Sequence, residues 1–236
     1  MLYVRDLTPA TAREVAWHWA SAEINSPRFG HLYRPNLSQS ILVALTSGDQ
    51  TLLTEEEWND LESVVSGVRA PLLRGLNRLG TTWYVGQISS EDLVDLRLLN
   101  LPAFRGISTR LRLAEFVEAL DRQEGLPGVP EFAPHYWALK TGFEPTQIRG
   151  TPILVSMNAA GPYGILEGYS RLAVMLSRDI HGNPVTDLRV MLGVCTRIRE
   201  WRLNDDPMSV ALYWDSNSFL RALAWVYRVW RSVSSG

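Results

Sequence analysis

Residues 152–176 read PILVSMNAAGPYGILEGYSRLAVML. Two apolar runs, Pro152–Met157 and Tyr163–Leu166, flank the turn signal NAAGP. Strand-forming residues on both sides of such a turn predict a hairpin. A polar knot comes next, Glu167-Gly168-Tyr169-Ser170-Arg171, and then the short apolar run Leu172–Leu176, which predicts a helix. A glycine between a strand and a helix lets the backbone turn tightly and approach a ligand closely. The first amides of a helix have no partner inside the helix. With the helix dipole they suit an anion, phosphate above all. In that reading the peptide nitrogens of residues 168–171, those of Gly168 and Tyr169 among them, point outward into an accessible spot. Ser170 adds a hydroxyl, and Arg171 clamps phosphate oxygens with its planar fork. Glu167, at the strand end, is placed to hold a metal ion, a ribose hydroxyl or a proton. The plain alternative makes Gly168 a turn glycine, Arg171 a surface charge and Glu167 a helix-start acid.

Outward from this stretch, Leu188–Val194 (LRVMLGV) predicts another strand, Arg197–Trp201 a helical end and Ser218–Val233 a closing helix. His181-Gly182-Asn183-Pro184 reads as a turn. Ahead of the stretch the chain reads as helical. Thr8 and Pro9 predict a helix start for Ala10–Ile24. Leu37–Leu45 predicts a short helix closed by Ser47-Gly48-Asp49. Thr54 with Glu57 forms a capping box for a helix carrying Trp58, Leu61, Val64, Val65 and Val68 on one side. Pro71 kinks or divides that helix before Gly80. TTWYVGQI, Thr81–Ile88, predicts a strand, Ser90 a cap for a short helix DLVDLRLLN, Asp92–Asn100, and Thr109–Gln123 a helix burying Leu113, Phe116, Val117 and Leu120. Gly125–Pro134 is the best candidate boundary. The expected organisation is a mainly helical N-terminal region, residues 1–130, and an α/β unit with a closing helix, residues 131–236.

Composition bounds the function. The chain has 236 residues, a formal net charge of -2 and 46% hydrophobic residues. That is ordinary for a globular protein and offers no general attraction to nucleic acid or to anionic membrane. A single cysteine, Cys195, rules out an internal disulfide and any zinc site built on several thiolates. A charged N-terminus and the lack of any run of about 18 uncharged apolar residues give no signal peptide and no membrane span. The expected location is the cytoplasm. Most of the nine tryptophans read as core.

The order Ile153-Leu154-Val155, turn, Ile165-Leu166, then Glu167-Gly168-Tyr169-Ser170-Arg171-Leu172 resembles the ParB/sulfiredoxin superfamily over Gly150–Trp201. The resemblance implies an α+β fold in which a strand pair leads into a polar box that opens a helix and binds nucleotide phosphates. Sulfiredoxins carry a catalytic cysteine in the box; here Tyr169 and Ser170 stand in that space, so sulfinic-acid reduction is not expected. Partitioning ParB proteins bind CTP and continue into a helix-turn-helix; here the 35 residues after Trp201 read as one long helix. Free-amino-acid kinases of the superfamily use an acid-Gly-His-x-Arg box, with Tyr169 here at the histidine place.

Other candidates are weaker. Arg28 or Arg34, in INSPRFG and beyond, sit in what reads as an interhelical loop. His18, His31, His135 and His181 form no zinc spacing. Cys195 reads as a small buried hydrophobe. Glu144, Asp179, Asp187, Glu200, Asp205 and Asp206 are acids near the α/β unit, any of which could orient a nucleophile. No serine-hydrolase elbow, Walker loop or dinucleotide fingerprint occurs. The leading expectation is a nucleotide-binding protein that uses ATP or CTP with Mg²⁺ for hydrolysis or for phosphoryl transfer to a small molecule. Glu167 would be the catalytic group, and Gly168, Tyr169, Ser170 and Arg171 would hold the phosphates. The alternatives are a ParB-like DNA-associated regulator and a non-catalytic interaction protein.

Overall fold

The computed structural model describes residues 4–26, 29–68, 70–108, 110–122, 129–142, 150–182 and 187–201. Five strands, β1 (Arg5–Ala10), β2 (Thr82–Ile88), β3 (Ile153–Ser156), β4 (Gly164–Glu167) and β5 (Leu188–Val194), form one mixed sheet in the order β1-β2-β5-β3-β4. β3 and β4 make the antiparallel hairpin expected around NAAGP, with a cis Gly161–Pro162 bond in its turn. β5 lies parallel to β3 and antiparallel to β2. All four residues of β3, and Val190 to Leu192 of β5, are buried. Both faces of these central strands are therefore covered, which explains their unbroken apolar runs. The fold is α+β.

Helices α1 (Ala12–Glu23), α2 (Gly30–Tyr33), α3 (Gln39–Ser47), α4 (Glu55–Val68) and α5 (Ala70–Arg78) precede β2. Helices α6 (Pro102–Arg105), α7 (Leu113–Asp121), α8 (Val129–Thr141) and α9 (Tyr169–Ile180) come after it. The capping box at Thr54 and Glu57 forms as expected, the Glu57 amide donating to Thr54 Oγ1 at 3.3 Å and the Thr54 amide to Glu57 Oε2 at 2.8 Å. Leu61 and Val65 of α4 and Leu113, Phe116, Val117 and Leu120 of α7 are buried, as their spacing predicts. Trp17, Trp19, Trp83 and Trp201 are core residues. Trp214, Trp225, Trp230 and the expected helix Ser218–Val233 lie outside the described residues.

Two expectations are corrected. Thr8 and Pro9 do not open a helix: they lie in β1, an edge strand, where a proline is tolerated because one side of the strand has no ladder to break. The helix starts at Ala12, capped by Thr11 with Glu14 in a capping box of its own. Ser90 does not cap an α-helix either. Ser90–Asp95 is a 3-10 turn. Beyond it the chain extends, and Arg97 bridges to Gly164 on one side and to Arg112 on the other.

The sheet takes β1 and β2 from before Gly125 and β3 to β5 from beyond Gly150. The place expected as a boundary, near residue 130, thus separates elements that share one sheet and one core. No described helix is long and apolar enough to cross a membrane.

Candidate functional site

At one end of the sheet the carboxyl end of β4 meets the amino ends of β3 and β5. Gly168 makes the junction between β4 and α9. Its φ of 95° is left-handed, a region that a residue with a Cβ enters only under strain. The turn is also tight: a Cβ there would lie 3.1 Å from Pro152 Cβ. The Gly168 carbonyl accepts the first helical bond from Leu172 N at 2.9 Å. This is the strand-glycine-helix arrangement expected from the sequence.

The side chains around it are arranged otherwise than expected. Arg171 turns back toward the strand end. One Nη donates to the Glu167 carboxylate in an i,i+4 ion pair, and the other donates to the Gly150 carbonyl. The pair is mostly enclosed, with side-chain exposures of 11% for Arg171 and 14% for Glu167. Ser170 is buried. The Tyr169 ring meets Phe104 edge-on at 4.8 Å and Phe132 at 6.1 Å, in a cluster completed by Phe116. The open spot lined by amides of residues 168–171 is therefore replaced by a covered box. The physical cause is the packing of α6 and α8 against Tyr169 and the supply of an internal anion by Glu167.

Two residues to which the sequence assigned no part join this end of the sheet. Ile153 pairs with Met191 in the parallel ladder, and Met191 N donates to Pro152 O at 2.8 Å. Two residues back along each strand, Arg189 comes abreast of Thr151, next to Gly150. On the other side of Gly150 lies α1: a Cβ on that glycine would stand 2.5 Å from the His18 carbonyl and 2.8 Å from Ala22 Cβ. Arg171 thus reaches the Gly150 carbonyl, and the charges of Arg189 and Arg171 both act on His18. Their field is visible in His18. Burial, then the Arg189 charge, and further the Arg171 charge push its pKa down to about 4, against the opposing pull of Glu14. His18 is neutral at pH 7 because it is half-buried and positive charge already occupies its surroundings. Glu14 is itself bound into the α1 cap, accepting from Thr11 N at 2.7 Å.

The remaining candidates lie elsewhere. Asp179 accepts from Ser90 Oγ at 3.2 Å, Asp187 pairs with Arg5 at 2.6 Å, and Glu200 pairs with Arg197 at 2.5 Å. Glu144, Asp205 and Asp206 lie outside the described residues, as does Arg28. Arg34 closes its own loop, donating to Ile24 O at 3.0 Å and to Asn25 Oδ1 at 2.7 Å. Cys195 is buried, its thiol facing Leu79 O at 3.8 Å. Among the described residues no three His, Cys, Asp or Glu side chains gather into a metal-holding group. No family model, curated protein or solved structure matches the chain.

Proposed function

We propose that the edge formed by β4, α9 and Gly150 binds the phosphates of a nucleotide, in the manner of a ParB/sulfiredoxin-like unit. The observation that carries the reading is the action of the Arg171 and Arg189 charges on His18, at the strand ends beside a left-handed Gly168. Two guanidinium groups, an imidazole able to take up a proton and a glycine turn at a helix start are what a polyphosphate needs. A phosphate enters by replacing Glu167 as the partner of Arg171. The exchange keeps the guanidinium paired, so its energetic cost is mainly the release of the Glu167 carboxylate.

The reading extends first to binding. For hydrolysis, or for phosphoryl transfer to a small molecule, Glu167 must leave Arg171, since a carboxylate bound to a guanidinium is a poor base and a poor Mg²⁺ ligand. Release of Glu167 by the incoming nucleotide supplies that step. Calorimetric titration of the wild type with ATP, ADP and CTP in the presence of Mg²⁺ tests binding. Saturable heat that is lost in Arg189→Gln is expected. No heat with any of the three nucleotides abandons the reading.

A second reading is favoured by the enclosure of the box. If Arg171, Glu167 and Tyr169 serve only to lock β4, α9 and α6 together, the chain is a non-catalytic interaction protein. It then stays blind to nucleotides, and Arg189→Gln leaves all its solution properties unchanged.

A further inference from the structure

Asp121, at the carboxyl end of α7, is met by side chains from two further helices. From α8 it accepts from Tyr136 Oη at 2.5 Å and from Lys140 Nζ at 2.6 Å, and from α9 it accepts from Ser177 Oγ at 2.8 Å. Lys140 Nζ also lies 3.4 Å from Tyr136 Oη, 5.5 Å from the centre of the Tyr136 ring and 4.9 Å from that of Trp137. The two rings themselves meet edge-on at 5.5 Å. The ammonium is thus held by one carboxylate and two aromatic rings, with 24% of the lysine side chain still open to solvent.

Lys140 is the only lysine in the chain, against 22 arginines. Ion pairs elsewhere, Arg5–Asp187 and Arg197–Glu200 among them, are made by arginine. A guanidinium keeps its charge, whereas an ε-amine that has lost its proton is a nucleophile toward carbonyl carbon. Side-chain amine chemistry is therefore confined to one position, and that position helps to hold three helices together. Beside it stands a donor without an acceptor: Trp137 Nε1 is buried and has no hydrogen-bond partner. A buried N–H left unpaired costs free energy. The neighbouring ammonium cannot relieve it, since an ammonium only donates.

We infer that Lys140 is a modification site, acylated at Nζ by an acyl thioester. The ammonium gives one proton to water, and the free amine attacks the thioester carbonyl. The N–C bond forms and the C–S bond breaks. The thiolate leaves and takes up the second proton from nitrogen, departing as the thiol. In the amide that results, the acyl carbon lies about 1.3 Å from Nζ and its oxygen about 1.2 Å beyond. With Nζ 4.9 Å from the Trp137 ring centre, that oxygen comes within reach of the indole N–H and supplies the acceptor it lacks. Acylation also removes the positive charge. Asp121 then keeps two neutral donors, Tyr136 and Ser177, and the tie across α7, α8 and α9 slackens. The inference does not rest on the nucleotide reading.

The test incubates the full chain with acetyl-CoA at mildly alkaline pH and maps the product by peptide mass spectrometry, which separates Lys140 from the N-terminal amine. The indole Nε1–H resonance of Trp137, assigned with Trp137→Phe, is then followed by NMR. One acetyl group on Lys140 is expected, together with a downfield shift of the Trp137 signal as it gains an acceptor. Lys140→Arg should show neither. Lys140→Gln, which loses the charge but is too short to place an oxygen at the indole, should leave the Trp137 signal without that downfield shift. A chain left unacetylated at Lys140 overturns the inference. So does acetylation that leaves the Trp137 signal in place, which makes the amine merely accessible. The same downfield shift in Lys140→Gln traces the effect to lost charge alone and overturns it as well.

Discussion

Glu167 and Arg171 are the two charged ends of the box, and their pairing sets what a mutation there does. Arg171→Ala leaves a largely enclosed carboxylate without its partner. That is expected to cost about 3 kcal/mol, since an uncompensated buried charge is worse than no charge. The double variant Arg171→Ala/Glu167→Ala should recover part of the loss. Urea unfolding of the two singles and the double measures the coupling; strictly additive losses would show that the pair contributes nothing. His18 gives a second prediction. Its folded pKa, about 4, lies below the ordinary 6.5, so the unfolded chain binds the extra proton. The stability this contributes is complete above the ordinary value and is lost as pH falls toward about 4. The loss amounts to about 3 kcal/mol. Unfolding measured across that window in the wild type and in His18→Gln should show a shallower slope in the variant. If a nucleotide binds as proposed, its phosphates oppose the arginine field and raise the His18 pKa, which its own imidazole resonances report. The roles of His18 and Arg189 were not legible in the sequence. They lie far from residues 167–171 along the chain, and only the sheet register and the contact of α1 with Gly150 bring them there. Gly168 was legible, because a glycine at a strand-to-helix change has few other uses.

Among the elements, α9 carries the box at its start and is anchored toward its end. Asp121, at the end of α7, accepts from Tyr136 Oη at 2.5 Å, Lys140 Nζ at 2.6 Å and Ser177 Oγ at 2.8 Å. One carboxylate therefore ties α7, α8 and α9 together. Burial works to raise its pKa, but these hydrogen bonds prevail and hold it below the usual carboxylate range. The same contact acts on the phenol: burial first, then the hydrogen bond to Asp121, pushes the Tyr136 pKa well above its ordinary value. Asp121→Ala should destabilise the fold by about 2–3 kcal/mol and should let Tyr136 ionise at lower pH. Thermal unfolding and ultraviolet titration of the phenol check both, and an unchanged Tyr136 titration would refute the link. With its pKa depressed, Asp121 supports the fold above the ordinary aspartate range and ceases to do so as pH falls through its folded value. Where elements were read correctly from sequence, the signal was local. Thr54 and Glu57 sit three residues apart and cap one helix, and the apolar faces of α4 and α7 repeat within a few turns. Where the reading failed, a distant partner prevailed. Pro9 looks like a helix start until β2 pairs with it through Tyr84. Residues 96–98 look helical until Gly164 and Arg112 draw them into an extended bridge.

At the scale of the whole molecule, the sheet decides how the chain holds together. β5 is paired along seven positions with β2, which comes from the first half of the sequence, and along four with β3, which comes from the second. The expected division near residue 130 follows composition, a proline- and glycine-rich stretch, and composition carries no information on which strands will become neighbours. Removing residues 1–130 would strip β5 of β2 and expose an apolar edge strand, an invitation to aggregate. It would also take α1 from Gly150 and Phe104 from Tyr169, dismantling the proposed nucleotide site. The full chain is therefore expected to unfold in one cooperative step. Near-ultraviolet circular dichroism reports tryptophans in both halves, Trp17 and Trp83 in one and Trp201 in the other, while far-ultraviolet dichroism reports the helices. Coincident midpoints in the two signals are the expected result. The fragment 131–236, expressed alone, should give neither a sharp transition nor a soluble monomer. Two separated transitions in the full chain, or a fragment that melts cooperatively by itself, would show that the sheet forms in two independent parts.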